Sequence, residues 1–367
     1  MIKKFLPSYF ESDHCLVNLS NSIAASFGLP TFHPTLSSVD SFLGKRRNNV
    51  CIILLDGFGR NILEKNLPNN CFLRNHLVEY YSSFFPPTTV AATTSLLSGK
   101  FPIEHGLLGW DMYFPKEDKN ISVFPNKISG TDEIAAPYNV AQRYYSYDAL
   151  PERIQKGGCQ AFISVSYEKD HPNLIKILKR VETFCTLPGR KFVYAYYENP
   201  DGVEHWRGID SPELIAELKQ IDEQVEDFAS KLKDTTLIIT ADHGHINIQS
   251  ENLNEHPELT ECFIRPPSLE ARAINFFIRE NKREEFVRLF REIYGDKDFV
   301  LLEMHEVLSK KLFGSGVPHP AVRSALGDFL AIAVRDKALF MNGTDFAGHH
   351  SGWTRDEGDI PLILLEA

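Results

Sequence analysis

The 367-residue chain has no apolar run near the ~20 residues that a membrane-spanning helix needs, no internal repeat and no low-complexity segment. The stretch Met1 to Phe10 holds two lysines but no apolar core long enough for a secretory leader. A soluble cytoplasmic setting is therefore expected. Positive charge is also scarce: 39 Lys and Arg face 49 Asp and Glu, a formal net charge of −10. General affinity for a nucleic-acid polymer or an anionic membrane needs a basic footprint, so neither is an expected partner. An anionic small molecule stays open, because bound cations can invert the field at a site. Closely spaced cysteine pairs are missing too: Cys15, Cys51, Cys71, Cys159, Cys185 and Cys262 are scattered. Reduced thiols fit that pattern better than a disulfide framework, with Cys51 as a buried one.

What is present is an alternation of strand-like and helical patterns. Short apolar runs rich in β-branched residues read as buried strands at Val50 to Leu55, Ala161 to Val165, Phe192 to Tyr197, Leu237 to Thr240 and Phe329 to Val334. Between them, Leu214, Leu218, Ile221, Val225, Phe228 and Leu232 form one helical stripe, opened by a Ser211-Pro212 cap. The alternation predicts an α/β fold with a mainly parallel sheet between helices. From 268 to 316 the pattern changes to an apolar run, a helix bearing Phe286, Leu289, Phe290 and Ile293, and a second run at Phe299 to Leu302. That stretch reads as a small inserted α+β cap, with 1–267 and 317–367 as the main domain.

Four segments place metal-ligand residue types just after strands, where functional residues of open α/β sheets gather. Asp56-Gly57 follows the first apolar run, although a turn after a strand uses the same pair. Asp201 and His205 follow Tyr194 to Tyr197 and can converge on one ion, or act as a cap and a surface histidine. Asp242-His243-Gly244-His245 continues Leu237 to Thr240; a polar cluster there rarely serves packing, and His245 reads as supporting or structural. His349-His350-Ser351-Gly352 near the end suits a ligand loop or an exposed pair. Together, aspartates and histidines in these numbers match what two divalent metals need.

The segment Pro86-Pro87-Thr88-Thr89 to Ser98-Gly99 speaks to the reaction. Prolines disfavour helix before it, a helical stretch follows, and Gly99 is a good C-cap. Thr89 then lies near a helix N-terminus, where amides and the dipole favour a phosphate. A hydroxyl there becomes a competent nucleophile if a metal activates it, while a plain N-cap is the alternative.

The order Asp56-Gly57, Pro-Pro-Thr-Thr running to Ser98-Gly99-Lys100-Phe101-Pro102-Ile103-Glu104-His105-Gly106, Asp201 with His205, Asp242-His243-Gly244, then a late histidine, resembles the type I phosphodiesterase/nucleotide pyrophosphatase family of the alkaline phosphatase superfamily. The match in order and spacing runs through almost the whole chain. The resemblance implies an alkaline phosphatase-like fold and selects Thr89, ten residues before Gly99, as the nucleophile. It implies one metal on Asp201, His205 and a late histidine, best matched by His350 with His349 as the other option. A second would lie on Asp56, Asp242 and His243 beside Thr89. Zinc is the implied metal and manganese the alternative. The chain departs from the family where Trp110 stands at about the position of an asparagine that holds a phosphoryl oxygen. Trp110, Tyr113 and Phe114 are the candidates for contacting a substrate base.

The expected activity is hydrolysis of a small-molecule phosphodiester or nucleotide pyrophosphate through a covalent threonyl intermediate. A phosphomonoesterase, a phosphonate hydrolase and an inactive metal-binding protein are the rivals. A sulfatase is disfavoured because no Cys-x-Pro-x-Arg segment is present. Phosphoglycerate-mutase-like chemistry is disfavoured because its family uses serine where this chain has threonine.

Overall fold

A computed structural model describes residues 10–168, 170 and 172–367. The reading of the N-terminal leader falls on residues 1–9, outside that range. The central sheet has six strands in the order β2 (Leu77–Ser82), β17 (Asp359–Glu366), β8 (Thr235–Thr240), β1 (Asn49–Leu55), β7 (Lys191–Tyr197) and β6 (Gln160–Val165). β8, β1, β7 and β6 run parallel, and β17 lies between β8 and the edge strand β2, antiparallel to both. β1 and β8 are buried along their whole length, which is why their sequences are continuous apolar or Thr-rich runs rather than alternating ones. The helix Pro212–Lys231 packs its Leu214, Leu218, Ile221, Val225 and Phe228 stripe inward; Ser211 Oγ accepts from the Leu214 N–H at its start.

A second sheet has seven strands in the order β13 (Phe299–Glu303), β14 (Phe329–Ala333), β12 (Ala273–Phe276), β11 (Ser268–Leu269), β3 (Asp111–Phe114), β4 (Lys119–Ser122) and β5 (Lys127–Ile128). The strands of 268–316 form and flank the helix Arg283–Asp298, whose Phe286, Leu289 and Phe290 are buried. β11 and β12 pair antiparallel, but β12 and β13 do not meet, because β14 from outside that stretch runs antiparallel between them. β14 was expected with the parallel strands; its five residues are all buried, and a uniformly apolar run does not say which sheet covers it.

Two short ribbons complete the edge that matters for the site: β9 (Ile246–Asn247) with β16 (Gly348–His349), and β10 (Gln249–Asn252) with β15 (Lys337–Phe340). All six cysteines are free thiols, Cys51 among the buried ones, with its Sγ 3.4 Å from that of Cys185. Among the described residues no helix is long and apolar enough to cross a membrane.

Candidate active site

Register brings the site together. Leu55 lies beside Tyr197, and Leu54 beside both Tyr196 and Thr240, so β1, β7 and β8 end at one edge. Asp56 follows β1 directly, Asp242 follows β8 by two residues, and Asp201 opens the helix Asp201–Arg207 after β7. His205 is one turn further along that helix, on the same face. The pairing of β16 with β9 presses the His349-His350 loop against the segment that follows Asp242 and His243.

Thr89 is the first residue of the helix Thr89–Ser98, which ends at Gly99 in a left-handed conformation, φ 72°. Thr88 occupies the cap position without a capping bond; its hydroxyl donates instead to Glu270 Oε1 at 2.5 Å. Thr89 Oγ1 lies 3.4 Å from each Asp56 carboxylate oxygen and 3.2 Å from His243 Nε2. Asp242 Oδ1 accepts from the N–H groups of Gly57 and His243, and its Oδ2, 3.6 Å from His243 Nε2, has no hydrogen-bond partner. Tyr196 donates to Asp56 Oδ2.

A second group surrounds Asp201. Its Oδ1 is 3.4 Å from His205 Nε2, 3.4 Å from His245 Nε2 and 3.8 Å from His350 Nε2. His205 Nδ1 faces the Gly348 carbonyl, His350 Nδ1 the Pro87 carbonyl, and His243 Nδ1 the Gly244 carbonyl. A carbonyl only accepts, so a proton on Nδ1 satisfies each of these contacts, and the neutral ring then presents its Nε2 lone pair to the cluster. His349 differs: its Nδ1 is taken up by the His350 backbone, and its ring packs 4.8 Å from that of His205.

These residues suit divalent cations. Three groups have ligand atoms within 4.8 Å of one another: Asp56, Asp242 and His243; Asp201, His243 and His350; Asp201, His205 and His245. Buried polar atoms are normally hydrogen-bonded, yet Asp201 Oδ1, Asp242 Oδ2 and both Glu204 carboxylate oxygens have no such partner. Burial, reinforced by the Asp56 charge, pushes the Asp242 carboxyl well above the usual range. Burial and then Asp201 do the same to Glu204. Burial opposes charging His243, but Asp242 and Asp56 outweigh it and raise its pKa well above the ordinary imidazole value. The site draws positive charge inward.

Two cavities open onto Thr89. One of about 520 Å³ is lined by Asp201, His205, Glu270, Phe346 and His350. Another of about 620 Å³ is lined by Asp56, Trp110, Phe124, Tyr167 and Asn199. Trp110 faces both and is 39% exposed, beside Phe124 at 45% and Tyr167 at 61%. Of the base-contact candidates, Tyr113 and Phe114 are buried in β3 and line neither cavity, whereas Phe124 and Tyr167 line the second. Glu270 was missed as well. Its carboxyl is pushed up to about 7 by burial, against hydrogen bonds from Thr88 and the Trp110 N–H, the latter 2.7 Å long. No local motif marks Glu270, Phe124 or Tyr167; only long-range packing brings them here.

Residues 50–330 match the family model described as type I phosphodiesterase / nucleotide pyrophosphatase. The human ectonucleotide pyrophosphatase/phosphodiesterase family member 5 is 24% identical over 234 residues, 57% of this chain. The chain spans 47% of that relative's length. The murine ectonucleotide pyrophosphatase/phosphodiesterase 5, solved as an inactive variant in complex with AMP, superposes with a TM-score of 0.67 at 16% identity, covering 85% of this chain and 87% of that one. The human counterpart gives 0.66 at 17% identity, covering 86% and 87%. The shared fold is alkaline phosphatase-like, as the motif order implied.

Proposed function

This chain belongs to the type I phosphodiesterase / nucleotide pyrophosphatase family, and from that premise we propose that it is a two-metal hydrolase that cleaves phosphodiesters or nucleotide pyrophosphates through a covalent intermediate on Thr89. The observation that carries this is the position of Thr89 Oγ1, at a helix N-terminus and within 3.4 Å of both Asp56 oxygens and 3.2 Å of His243 Nε2. Asp56, Asp242 and His243 would hold one cation, and Asp201, His205 and His350 the other. The mixed carboxylate and imidazole set suits zinc, with manganese as the alternative. Bound there, two such cations supply Lewis-acid stabilisation of charge on the attacking and leaving oxygens.

The chain's own groups do the rest. Asp56 accepts from the Thr89 hydroxyl, which holds that side chain where both cavities meet it. The first amides of the helix Thr89–Ser98, with its dipole, favour an anionic phosphate at that point. Thr89 would lose its proton to solvent and form a P–Oγ bond as the bond from phosphorus to the leaving oxygen breaks on the opposite face; water would then attack the same phosphorus, break the P–Oγ bond and return a proton to Thr89. Trp110, Phe124 and Tyr167 offer aromatic faces to a flat group such as a nucleobase. AMP bound to the murine relative supports a nucleotide as the substrate class. Glu270, ionised above about pH 7, disfavours a dianionic monoester more than a monoanionic diester.

The test is a substrate panel of an aryl phosphodiester, an aryl phosphomonoester and a dinucleotide, run after chelation and again with zinc or manganese restored. The diester and dinucleotide should turn over only with metal. Thr89→Ala should abolish turnover while metal content stays near that of the wild type. Activity retained in Thr89→Ala sinks the nucleophile, and a preference for the monoester sinks the substrate class.

A further inference from the structure

His245 is the residue that the proposed ligand sets leave over. It is fully buried, and neither ring nitrogen makes a hydrogen bond of ordinary geometry, the Ile246 backbone being a weak partner at best. Leaving two polar atoms of one buried ring unpaired is costly, so a histidine in a purely structural role normally has them bonded. The surroundings are shaped to admit this ring. Gly348 has no Cβ, and one placed there would approach His245 Nδ1 to 2.9 Å. Asn61 Nδ2 donates to the His245 carbonyl at 2.8 Å, anchoring the backbone that carries it.

The ring points Nε2 at Asp201 Oδ1, 3.4 Å away, the same distance as His205 Nε2 and shorter than the 3.8 Å of His350 Nε2. Asp201, His205 and His245 have ligand atoms within 4.8 Å of one another. The ring of His349, equally close in sequence to a ligand, has its Nδ1 bonded to backbone and takes no part in these groups.

We propose that His245 is a direct ligand of the cation held by Asp201 and His205, so that this centre has an additional imidazole beside His350. The inference rests on the two-metal reading above. Asp201, His205 and His245 would supply three ligands, and His350, whose Nε2 is 3.8 Å from Asp201 Oδ1 and which also groups with His243, a fourth; a phosphoryl oxygen would enter as a fifth, which zinc accommodates.

The decisive measurement is a crystal structure of the zinc-loaded full chain, with zinc located by anomalous scattering. His245 Nε2 should lie at ~2.0–2.1 Å from the metal; a separation beyond hydrogen-bond length overturns the assignment. In solution, His245→Gln and His349→Gln are compared with wild type by metal analysis and by the visible bands of the cobalt-substituted proteins. His245→Gln should change the cobalt spectrum and weaken retention of one cation by roughly tenfold or more, as loss of metal-site support does, while His349→Gln leaves both unchanged. Two cations held as tightly in His245→Gln, with an unaltered spectrum, would also overturn it. A wild type that binds no pair of cations rejects the two-metal reading itself, a distinct outcome.

Discussion

Glu270 is a buried carboxyl whose two hydrogen-bond donors, Thr88 and the Trp110 amide, do not offset its loss of hydration. Its pKa therefore rises from an ordinary 4.5 to about 7 on folding. The sign follows from linkage: the folded state holds a proton that the unfolded state has released. The contribution is fully present below about pH 4.5 and is lost as pH rises through about 7. Glu270→Gln removes that loss. The difference in unfolding free energy between variant and wild type should move in favour of the variant from pH 5 to pH 8, by on the order of 3 kcal/mol at most. Urea unfolding across that range measures it, and a difference independent of pH refutes the account.

At the scale of elements, two glycines define how the site's segments end and meet. Gly99 terminates the helix Thr89–Ser98 with φ 72°, and a Cβ there would find its nearest neighbour at 3.4 Å. Gly99→Ala should thus cost only the backbone strain, about 1 kcal/mol. Gly244 has a different reason. A Cβ on it would come within 2.0 Å of the Asp356 carbonyl oxygen, because the loop after β8 packs backbone to backbone against the helix Arg355–Gly358. Gly244→Ala should cost about 1–3 kcal/mol of overpacking and also displace His243. Urea unfolding combined with zinc analysis separates them: both variants lose stability, and Gly244→Ala alone should lose metal. The Asp-His-Gly and Ser-Gly motifs were legible in the sequence as local signals. The 2.0 Å approach was not, since Asp356 lies far along the chain.

At the scale of the molecule, the two sheets are tied together beside the site. Arg272, which leads into β12, makes a bidentate pair with Glu357 just ahead of β17, and both side chains are fully buried. Glu357 also accepts from the Gly352 N–H, and its carbonyl accepts from the Gly244 N–H. The loops bearing His243 and His350 are therefore joined to both sheets. Cations bound to them should stabilise the whole fold by mass action, by about 2.7 kcal/mol for each site at a hundredfold excess over its Kd. Chelation should then lower the melting temperature by roughly 5–10 °C, restored by zinc. An unchanged melting temperature in a protein shown to have lost its metal contradicts this coupling.

Local sequence is enough to mark the strands that lead to Asp56, Asp201 and Asp242, the stripe of the helix Pro212–Lys231, and the start of the Thr89 helix. Each is written in local periodicity or punctuation, where neighbours in sequence are neighbours in space. Tertiary structure alone decided which sheet β14 joins, because a strand buried on both faces has the same composition in either place. It also decided that His350 and His245, and not His349, turn Nε2 toward Asp201. Adjacent histidines are chemically identical until backbone partners distant in sequence, such as the Pro87 carbonyl, claim one nitrogen and leave the other free. Glu270, Phe124 and Tyr167 reached the Thr89 cavities by the same route, through contacts between segments that share no local pattern.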